Sequence, residues 1–338
     1  MKKIIILGAT GNLGAYLTEY CLENLDLNEY EIIASGRRDT DFFNKYGIEY
    51  YQIDIKNKDD LKKLPKENIY AVILLSALLP AYMEGYKPEE YIQTNVIGAF
   101  NVLEYCKEVK ADRILYPQTE GDLSGYWEKQ KLLKPDLQRK FNFKGDHALY
   151  VISKNATVDM IEHYHQSYGI KNFIFRCPTI YAYTPNQYFY VNGIKKVLAY
   201  RYLMNQAILG KDIEMWGDPN REKDVVYVKD FCQMFYKALF VNRDTGFYNV
   251  GTGVGTSLKS QIEGMIKIFS PKDNKSKIIN CLDKQNSREF IMDIKNAREE
   301  LGYIPKYNYL EYLKEFKREM EINRFKELRE EEIPMKNN

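Results

Sequence analysis

Near its start the chain reads Lys3-Ile4-Ile5-Ile6-Leu7-Gly8-Ala9-Thr10-Gly11-Asn12-Leu13-Gly14. The apolar run predicts a buried strand, and the residues from about 13 to 25 predict a helix, so the glycines form the turn between the two. Glycines permit a tight turn and a close approach of the backbone to pyrophosphate, while the helix N-terminus supplies free amides and a favourable dipole. This context favours a dinucleotide-binding turn over an ordinary loop. The residues assigned to it are Gly8, Thr10, Gly11, Asn12, Leu13 and Gly14.

Short apolar strands and amphipathic helices alternate through the first half of the chain. Strands are predicted over residues 3–7, 31–35, 49–53, 71–76, 113–116 and 172–176. Helices are predicted over 13–25 and 88–109, and a third carries Tyr150 and ends near residue 168. This alternation predicts a parallel sheet covered by helices on both faces, in the α/β class. Residues 1–178 are expected to form this domain, with some later segments returning to it. Residues 179–320 are expected to form a smaller substrate-binding α/β subdomain, and 321–338 a charged, solvated tail.

Composition narrows the class of protein. The chain has 338 residues and a net charge of +2, with no basic stripe interleaved with aromatic residues, so nucleic acid is not an expected partner. No apolar run is long enough to span a bilayer, and the chain is expected to be cytoplasmic. The cysteines and histidines lack the spacing of a disulfide framework or a metal site. The cysteines are therefore expected to be reduced thiols.

The residues that follow the second predicted strand bear on the choice of cofactor. A carboxylate at this position would grip the ribose hydroxyls of NAD directly. The sequence has Arg37 and Arg38 instead, and guanidinium groups match the geometry and charge of a 2′-phosphate. This pattern predicts NADP, with NAD as the alternative, although both arginines would also suit an exposed surface. Residues after the next two strands are expected to meet the adenine edge and the middle of the cofactor: Asp54, Ile55, Ser76, Ala77 and Leu78.

Tyr150 and Lys154 are four residues apart on one predicted helix, and therefore lie on the same helical face. A nearby ammonium stabilises a phenolate and lowers its pKa, which would make the tyrosine an acid and base near neutrality. In isolation such a pair is more often a packed ring and a solvated amine. The other motifs of the chain favour the catalytic interpretation.

Taken together, the motifs resemble the extended short-chain dehydrogenase/reductase family, in its nucleotide-sugar epimerase/dehydratase branch. The resemblance covers almost the whole chain. It includes the glycine turn, Asn95-Val96-Ile97-Gly98, Thr119, Tyr150 with Lys154, and Arg176 through Tyr181. It continues through Lys223 to Asp230, Tyr248 to Gly253 and Leu301 to Pro305. The resemblance implies that Asn95, Tyr150, Lys154 and Pro178 contact the cofactor.

The resemblance also implies the catalytic roles. Thr119 would orient a sugar hydroxyl, Tyr150 would remove its proton, and Lys154 would tune the tyrosine and hold the nicotinamide ribose. A 4-ketosugar would be the intermediate. Family members that eliminate water usually carry an Asp-Glu pair after the threonine, whereas this chain has Glu120 and Gly121. Glu120 is thus either a base or a hydrogen-bonding loop residue.

Several activities fit these residues. Epimerisation, as in UDP-glucose 4-epimerases, needs no further acid or base and is the first expectation. An NADPH-dependent 4-ketosugar reductase is the alternative that NADP favours, and a 4,6-dehydratase is a third. A cofactor-sensing regulatory protein without turnover is the non-enzymatic alternative, against which the intact Tyr150 and Lys154 pair argues.

Substrate and assembly follow from the same resemblance. The family commonly has an arginine that binds substrate diphosphate where Lys223 stands, so Arg221 or Arg288 could replace or assist it. Thr179 is also expected at the substrate. The longer segment between Thr119 and Tyr150 is expected to fold over the sugar. Family members usually dimerise through two helices, so a homodimer is expected. Its interface could be formed by the apolar residues Ala99, Val102, Leu103, Val158 and Ile161. The alternative is that these residues pack against the sheet.

Overall fold

A seven-stranded parallel sheet forms the centre of the protein. The computed structural model describes residues 1–191 and 193–328. The strands of the sheet are β1 (Lys2–Leu7), β2 (Tyr30–Gly36), β3 (Glu49–Gln52), β4 (Ile69–Leu74), β5 (Arg113–Thr119), β6 (Lys171–Cys177) and β7 (Thr245–Asn249). Residues 4–7 of β1 are fully buried, as expected for a parallel strand covered on both faces. The predicted α/β class and its strands are therefore confirmed.

The order of the strands places the ligand crevice. Across the sheet they run β7-β6-β5-β4-β1-β2-β3, so the chain proceeds outward in opposite directions from the neighbouring β1 and β4. Leu7 pairs with Leu74 at the carboxyl ends of these two strands. Open α/β sheets bind ligands beyond the strand ends at such a switch point. The glycine turn after β1 lies there.

Helices cover both faces of the sheet. In the described ranges they are α1 (Asn12–Asn24), α2 (Lys58–Leu61), α3 (Pro88–Tyr91), α4 (Gly98–Glu108), α5 (Asp146–Tyr168), α6 (Ala199–Ile208), α7 (Val228–Phe240), α8 (Leu258–Phe269), α9 (Lys295–Leu301) and α10 (Tyr309–Glu321). The helix predicted over 88–109 consists of α3, a π-helical segment Ile92–Ile97 and α4. None of the described helices is both long and apolar enough to cross a membrane.

The apolar residues considered for a dimer interface lie on the faces of their helices that pack against the sheet. Ala99, Val102, Leu103, Val158 and Ile161 are buried in one core cluster with the sheet. The alternative in which they pack against the sheet is therefore the one observed. The apolar side chains that stay exposed near the start of α4 are Ile97 and Phe100, at 41% and 42% exposure.

After β6 the chain forms short paired strands outside the central sheet, while β7 returns to that sheet beside β6. The short pairs are Ile180–Tyr181 with Val226–Tyr227, Tyr188–Val191 with Ile194–Val197, Ile213–Trp216 with Ile278–Cys281, Glu222–Asp224 with Gly255–Ser257, and Leu132–Leu133 with Ile291–Met292. The last pair joins the segment after Thr119 to residues 291–292, which precede α9. The boundary between residues 178 and 179 remains a proposal.

The end of the chain is more buried than its charge suggests. In α10 the side chains of Tyr312, Leu313 and Phe316 are buried, and beyond it Phe325 and Leu328 are buried as well. The prediction of a solvated tail over 321–338 does not hold at Phe325 and Leu328, because their apolar side chains pack into the core. The rest of the predicted tail, 329–338, lies outside the described residues.

Candidate active site

The glycine turn leads from β1 into α1, as the sequence predicts. Gly8 has a φ of 95°, and the amides of Gly8 and Ala9 both donate to the Ser35 carbonyl at 2.8 Å. A Cβ on Gly14 would lie 2.1 Å from the Gly8 carbonyl oxygen, so α1 packs this closely only without a side chain there. No acidic residue lies in the first turn of α1, which leaves the positive end of its dipole uncompensated by a local carboxylate.

The other residues of the turn contact neighbouring elements. The Thr10 side chain packs beside Gly36 at the end of β2, where a Cβ would approach its Oγ1 to 2.4 Å. Leu13 packs against the core. The Asn12 amide donates to the Tyr82 hydroxyl at 3.3 Å. This contact joins the turn after β1 to the segment that follows β4, across the crevice.

The two arginines after β2 differ in their surroundings. Arg37 is exposed, whereas Arg38 is half-buried and its Nη1 donates to the Leu328 carbonyl at 2.5 Å. The Leu328 carbonyl thus binds one of the two guanidinium groups expected at a 2′-phosphate.

After β3, Asp54 accepts from the Lys56 amide at 3.0 Å, and Ile55 is buried.

Asn95 braces the residues that follow β4. Ser76 donates its amide to the Leu7 carbonyl at 2.9 Å, and Ala77 is partly exposed. The Asn95 carboxamide accepts from the Leu78 amide at 2.7 Å and donates to the Leu78 carbonyl at 3.1 Å and to Ser153 Oγ at 3.0 Å. Its side chain therefore connects this segment to α5.

Thr119, Tyr150 and Lys154 converge where β5 ends beside α5. Thr119 and Lys154 are buried, at 8% and 3% exposure. Lys154 Nζ lies 3.9 Å from the centroid of the Tyr116 ring, within cation–π range. Burial lowers the pKa of Lys154 to about 7, because a buried ammonium has lost its hydration.

The pKa of Tyr150 lies above its ordinary value. Burial is the main cause and the Glu120 carboxylate adds to it, whereas a hydrogen bond with Thr119 lowers the pKa. The sequence suggested that a nearby ammonium lowers the pKa of Tyr150. In this structure that effect does not dominate, because Lys154 is itself buried and readily loses its charge. The geometry of a Thr-Tyr-Lys unit is nevertheless present.

Glu120 faces the same unit. Its Oε2 accepts from the Thr119 hydroxyl at 3.3 Å. Burial raises the pKa of Glu120, and the positive charges of Lys223 and Arg288 partly counter that rise. The structure therefore brings one carboxyl group close to Tyr150 and two cations close to that carboxyl group.

The three cations considered for the diphosphate have different partners. Lys223 Nζ donates to the Tyr181 hydroxyl at 3.3 Å. Arg221 donates from Nε to the Ser287 carbonyl at 2.6 Å and from Nη2 to the Glu128 carboxylate. Lys223 and Arg288 thus face Glu120, while Arg221 joins two loops.

Pro178 and Thr179 follow β6, and the structure separates them by exposure. Pro178 is buried and Thr179 is exposed.

Cys177, just before them, pairs in register with Thr119, and its thiol contributes to the electrostatics of both Tyr150 and Lys154. No sequence motif indicated that this cysteine lies near the candidate catalytic residues.

A buried amide pair that the sequence analysis missed supports the catalytic residues. Gln118 Nε2 donates to Asn155 Oδ1 at 2.6 Å, and Gln118 Oε1 accepts from the Thr119 amide at 2.9 Å. Each amide is the chain neighbour of a candidate catalytic residue, and this adjacency was the available signal. Trp127 lies in the segment predicted to fold over the sugar, but its contact with Arg288 was not predicted.

Replacing Glu120 by Gln should change how stability depends on pH. Because burial raises the pKa of Glu120, the folded chain holds the carboxyl proton more tightly than the unfolded chain. The resulting stabilisation is complete below the unfolded pKa and is lost as pH rises through the folded pKa. We expect the unfolding temperature of the wild type, measured by calorimetry, to fall relative to that of E120Q as the pH rises above about 4, the ordinary pKa of a glutamate. Parallel curves for the two proteins would contradict this.

Comparison with known proteins agrees with this geometry. The model of the NAD dependent epimerase/dehydratase family matches residues 4–251. A putative UDP-glucose 4-epimerase of Methanocaldococcus jannaschii is 26% identical over 318 residues, which cover 92% of this chain and 96% of the relative.

Two solved structures share the fold. A UDP-glucose 4-epimerase of Thermotoga maritima, determined with UDP-glucose, has a TM-score of 0.74 and 20% identity, covering 94% of this chain and 99% of that chain. A dTDP-glucose 4,6-dehydratase of Bacillus anthracis, in complex with NAD, has a TM-score of 0.74 and 18% identity, covering 97% and 100%. With a family model that matches most of its length and a Rossmann sheet of the expected order, the chain belongs to the NAD-dependent epimerase/dehydratase family.

Proposed function

We propose that the chain is a nucleotide-sugar epimerase that inverts a sugar carbon through a 4-ketosugar. The supporting observation is the composition of the site: Thr119, Tyr150 and Lys154 lie together, and position 121, where an eliminating enzyme would carry its second carboxylate, is a glycine. A Cβ on Gly121 would lie 2.9 Å from Val151 Cγ2, and Val151 is buried. A side chain at position 121 would therefore have to displace this methyl group of α5.

The residues fit a nicotinamide dinucleotide. The contact of Gly14 with Gly8 leaves the glycine turn free of side-chain bulk, and the dipole of α1 suits pyrophosphate. When bound, such a cofactor would supply the site that takes up the hydride of sugar C4 and gives it back. In this proposal Tyr150 takes the proton of the C4 hydroxyl while Thr119 orients that hydroxyl, and Tyr150 returns the proton once the ketone presents its other face. Lys154 holds the nicotinamide ribose.

For the cofactor we propose NADP, on the two arginines after β2. Arg37 is exposed, and Arg38, which donates from Nη1 to the Leu328 carbonyl, lies directly beside it in the sequence. The other residues proposed at the cofactor are those of the strand ends, Asp54 to Ile55, Ser76 to Leu78 and Pro178. NAD is the alternative, since the similar dehydratase structure contains NAD.

For the substrate we propose a nucleoside diphosphate sugar, because the similar epimerase was determined with UDP-glucose. Lys223 and Arg288 face the site and are proposed to bind the diphosphate. Thr179 is exposed at the end of β6 and is proposed to contact the sugar. A cytoplasmic homodimer is the proposed state, with the exposed Ile97 and Phe100 as part of its interface.

A 4-ketosugar reductase is the second candidate, and the arginine pair after β2 favours it, because reduction consumes a phosphorylated, reduced cofactor. The two candidates differ in the fate of the hydride. An epimerase recovers its oxidised cofactor in every cycle, whereas a reductase releases an oxidised cofactor after each turnover.

Mass spectrometry of the freshly purified, denatured protein tests the proposal. We expect a retained oxidised dinucleotide, identified by mass as NADP or NAD. We also expect UDP-glucose and UDP-galactose to interconvert when incubated with the protein, as followed by anion-exchange chromatography. An empty protein that consumes NADPH with a 4-ketosugar and does not interconvert these sugars would overturn epimerisation in favour of reduction.

A further inference from the structure

Arg288 is exposed, but its guanidinium also contacts an aromatic ring. The guanidinium carbon lies 4.1 Å from the centroid of the Trp127 ring, a close cation–π contact. The indole is stacked on Phe290, with centroids 6.2 Å apart and ring planes 15° apart. Phe290 is buried, at 1% exposure. The indole thus connects the arginine to the core.

The position of the indole is determined by stacking rather than by hydrogen bonding. Its Nε1 is buried and has no hydrogen-bond partner among the described residues. A buried indole N–H without a partner is unfavourable. The aromatic and cation–π contacts of Trp127 must therefore outweigh that cost.

Arg221 fastens the two segments that carry this contact. It bonds both Glu128, the neighbour of Trp127, and Ser287, the neighbour of Arg288. Glu128 has a left-handed φ of 65°, a conformation that a residue other than glycine keeps only when its surroundings impose it. The bond with Arg221 is one such restraint. Pairing of Leu132 and Leu133 with Ile291 and Met292 extends the same connection.

We propose that Trp127 and Arg221 are positioning residues, which hold the Arg288 guanidinium ready to bind the diphosphate of the substrate. The proposal rests on the proposed function, because it takes a nucleoside diphosphate as the ligand. An arginine side chain has many rotamers, and ordering it on binding weakens affinity. An arginine already held on an indole loses less freedom when the ligand arrives. Arg221 acts on Arg288 only through the two loops and does not itself contact the ligand.

Calorimetric titration of the full chain with UDP and with dTDP tests this. Wild type is expected to bind at least one of them. W127A and R221A are each expected to weaken that binding about tenfold, the scale of one cation–π contact and its ordering. W127F, which keeps a ring under the guanidinium, should recover most of the affinity. The double variant W127A/R288A should bind no more weakly than R288A, since the indole acts through that arginine.

Controls separate positioning from a general loss of structure. R243A removes a different arginine, whose ion pair with Glu300 lies beside β7, and should leave UDP binding unchanged. NAD or NADP affinity should stay near wild type in W127F and W127A, and the unfolding temperature should stay near wild type in W127F, whereas W127A loses the stacking on Phe290 and should unfold at a lower temperature. The change in tryptophan fluorescence that UDP causes in wild type should be reduced in W127F.

Two results would overturn the inference. If W127A binds UDP and dTDP as tightly as wild type, or if the effects of W127A and R288A simply add, Trp127 does not position Arg288 and the proposed function stands. If the wild type binds neither nucleoside diphosphate while retaining its dinucleotide, the proposed substrate class fails, and this role fails with it.

Discussion

Replacing Tyr150 by Phe is expected to reduce turnover about 10²- to 10⁴-fold, the range for removal of a general acid and base. The change deletes one hydroxyl and keeps the ring, which lies 5.9 Å from the Tyr91 ring. The fold and the glycine turn after β1 should therefore be preserved. Turnover is measured by chromatography of the sugar nucleotides, and dinucleotide affinity by calorimetry.

Tyr91 provides the matched control. It is buried beside Tyr150, at 1% exposure, and Y91F removes the same group without touching Thr119 or Lys154. Turnover of Y91F should stay within a few-fold of wild type. Full activity in Y150F would exclude the phenol as the proton carrier and with it the proposed mechanism.

Replacing Asp122 by Asn is expected to destabilise the fold by about 3–5 kcal/mol, as when one partner of a buried ion pair is removed. Asp122 and Arg176 are buried, at 0% and 2% exposure. Arg176 Nε and Nη2 each donate to the carboxylate at 3.0 Å. Asparagine would leave the guanidinium buried without its counter-charge. Urea denaturation followed by circular dichroism measures the loss.

The double variant D122N/R176M is the control, because it removes the charge as well as its partner. A buried guanidinium without its counter-charge is strongly unfavourable, so the double variant, which lacks that guanidinium, should be more stable than D122N. Arg176 also donates to the Pro135 carbonyl at 3.0 Å, and loss of that bond limits the recovery. A D122N protein that unfolds at the wild-type urea concentration would show that this pair contributes no net stability.

Local sequence features predicted the sheet and the catalytic centre. Each strand of the first half is a short apolar run, and Tyr150 and Lys154 share one helix, so their proximity follows from helical geometry. Gly8 and Gly14 are likewise close in sequence. These parts of the site depend on periodicity and turn chemistry that act over a few residues.

Contacts between distant segments could not be predicted in this way. Arg38 bonds Leu328, which is 290 positions away, and Trp127 packs on Arg288. Such pairs depend on how the loops of the completed fold meet, and no periodic pattern in the sequence predicts these contacts. The same limit applies to Tyr150, whose pKa depends on burial and on Glu120 more than on the ammonium four residues away.

The close approach of Gly121 to Val151 also bears on attempts to redesign this protein. Because Val151 Cγ2 would lie 2.9 Å from a Cβ at position 121, a carboxylate introduced there has to displace this methyl group, and a smaller residue on the helix would relieve the contact. Each change alone carries a cost, the first for its close contact and the second for the cavity it leaves. Directed evolution toward water elimination in this scaffold should therefore vary the two positions together.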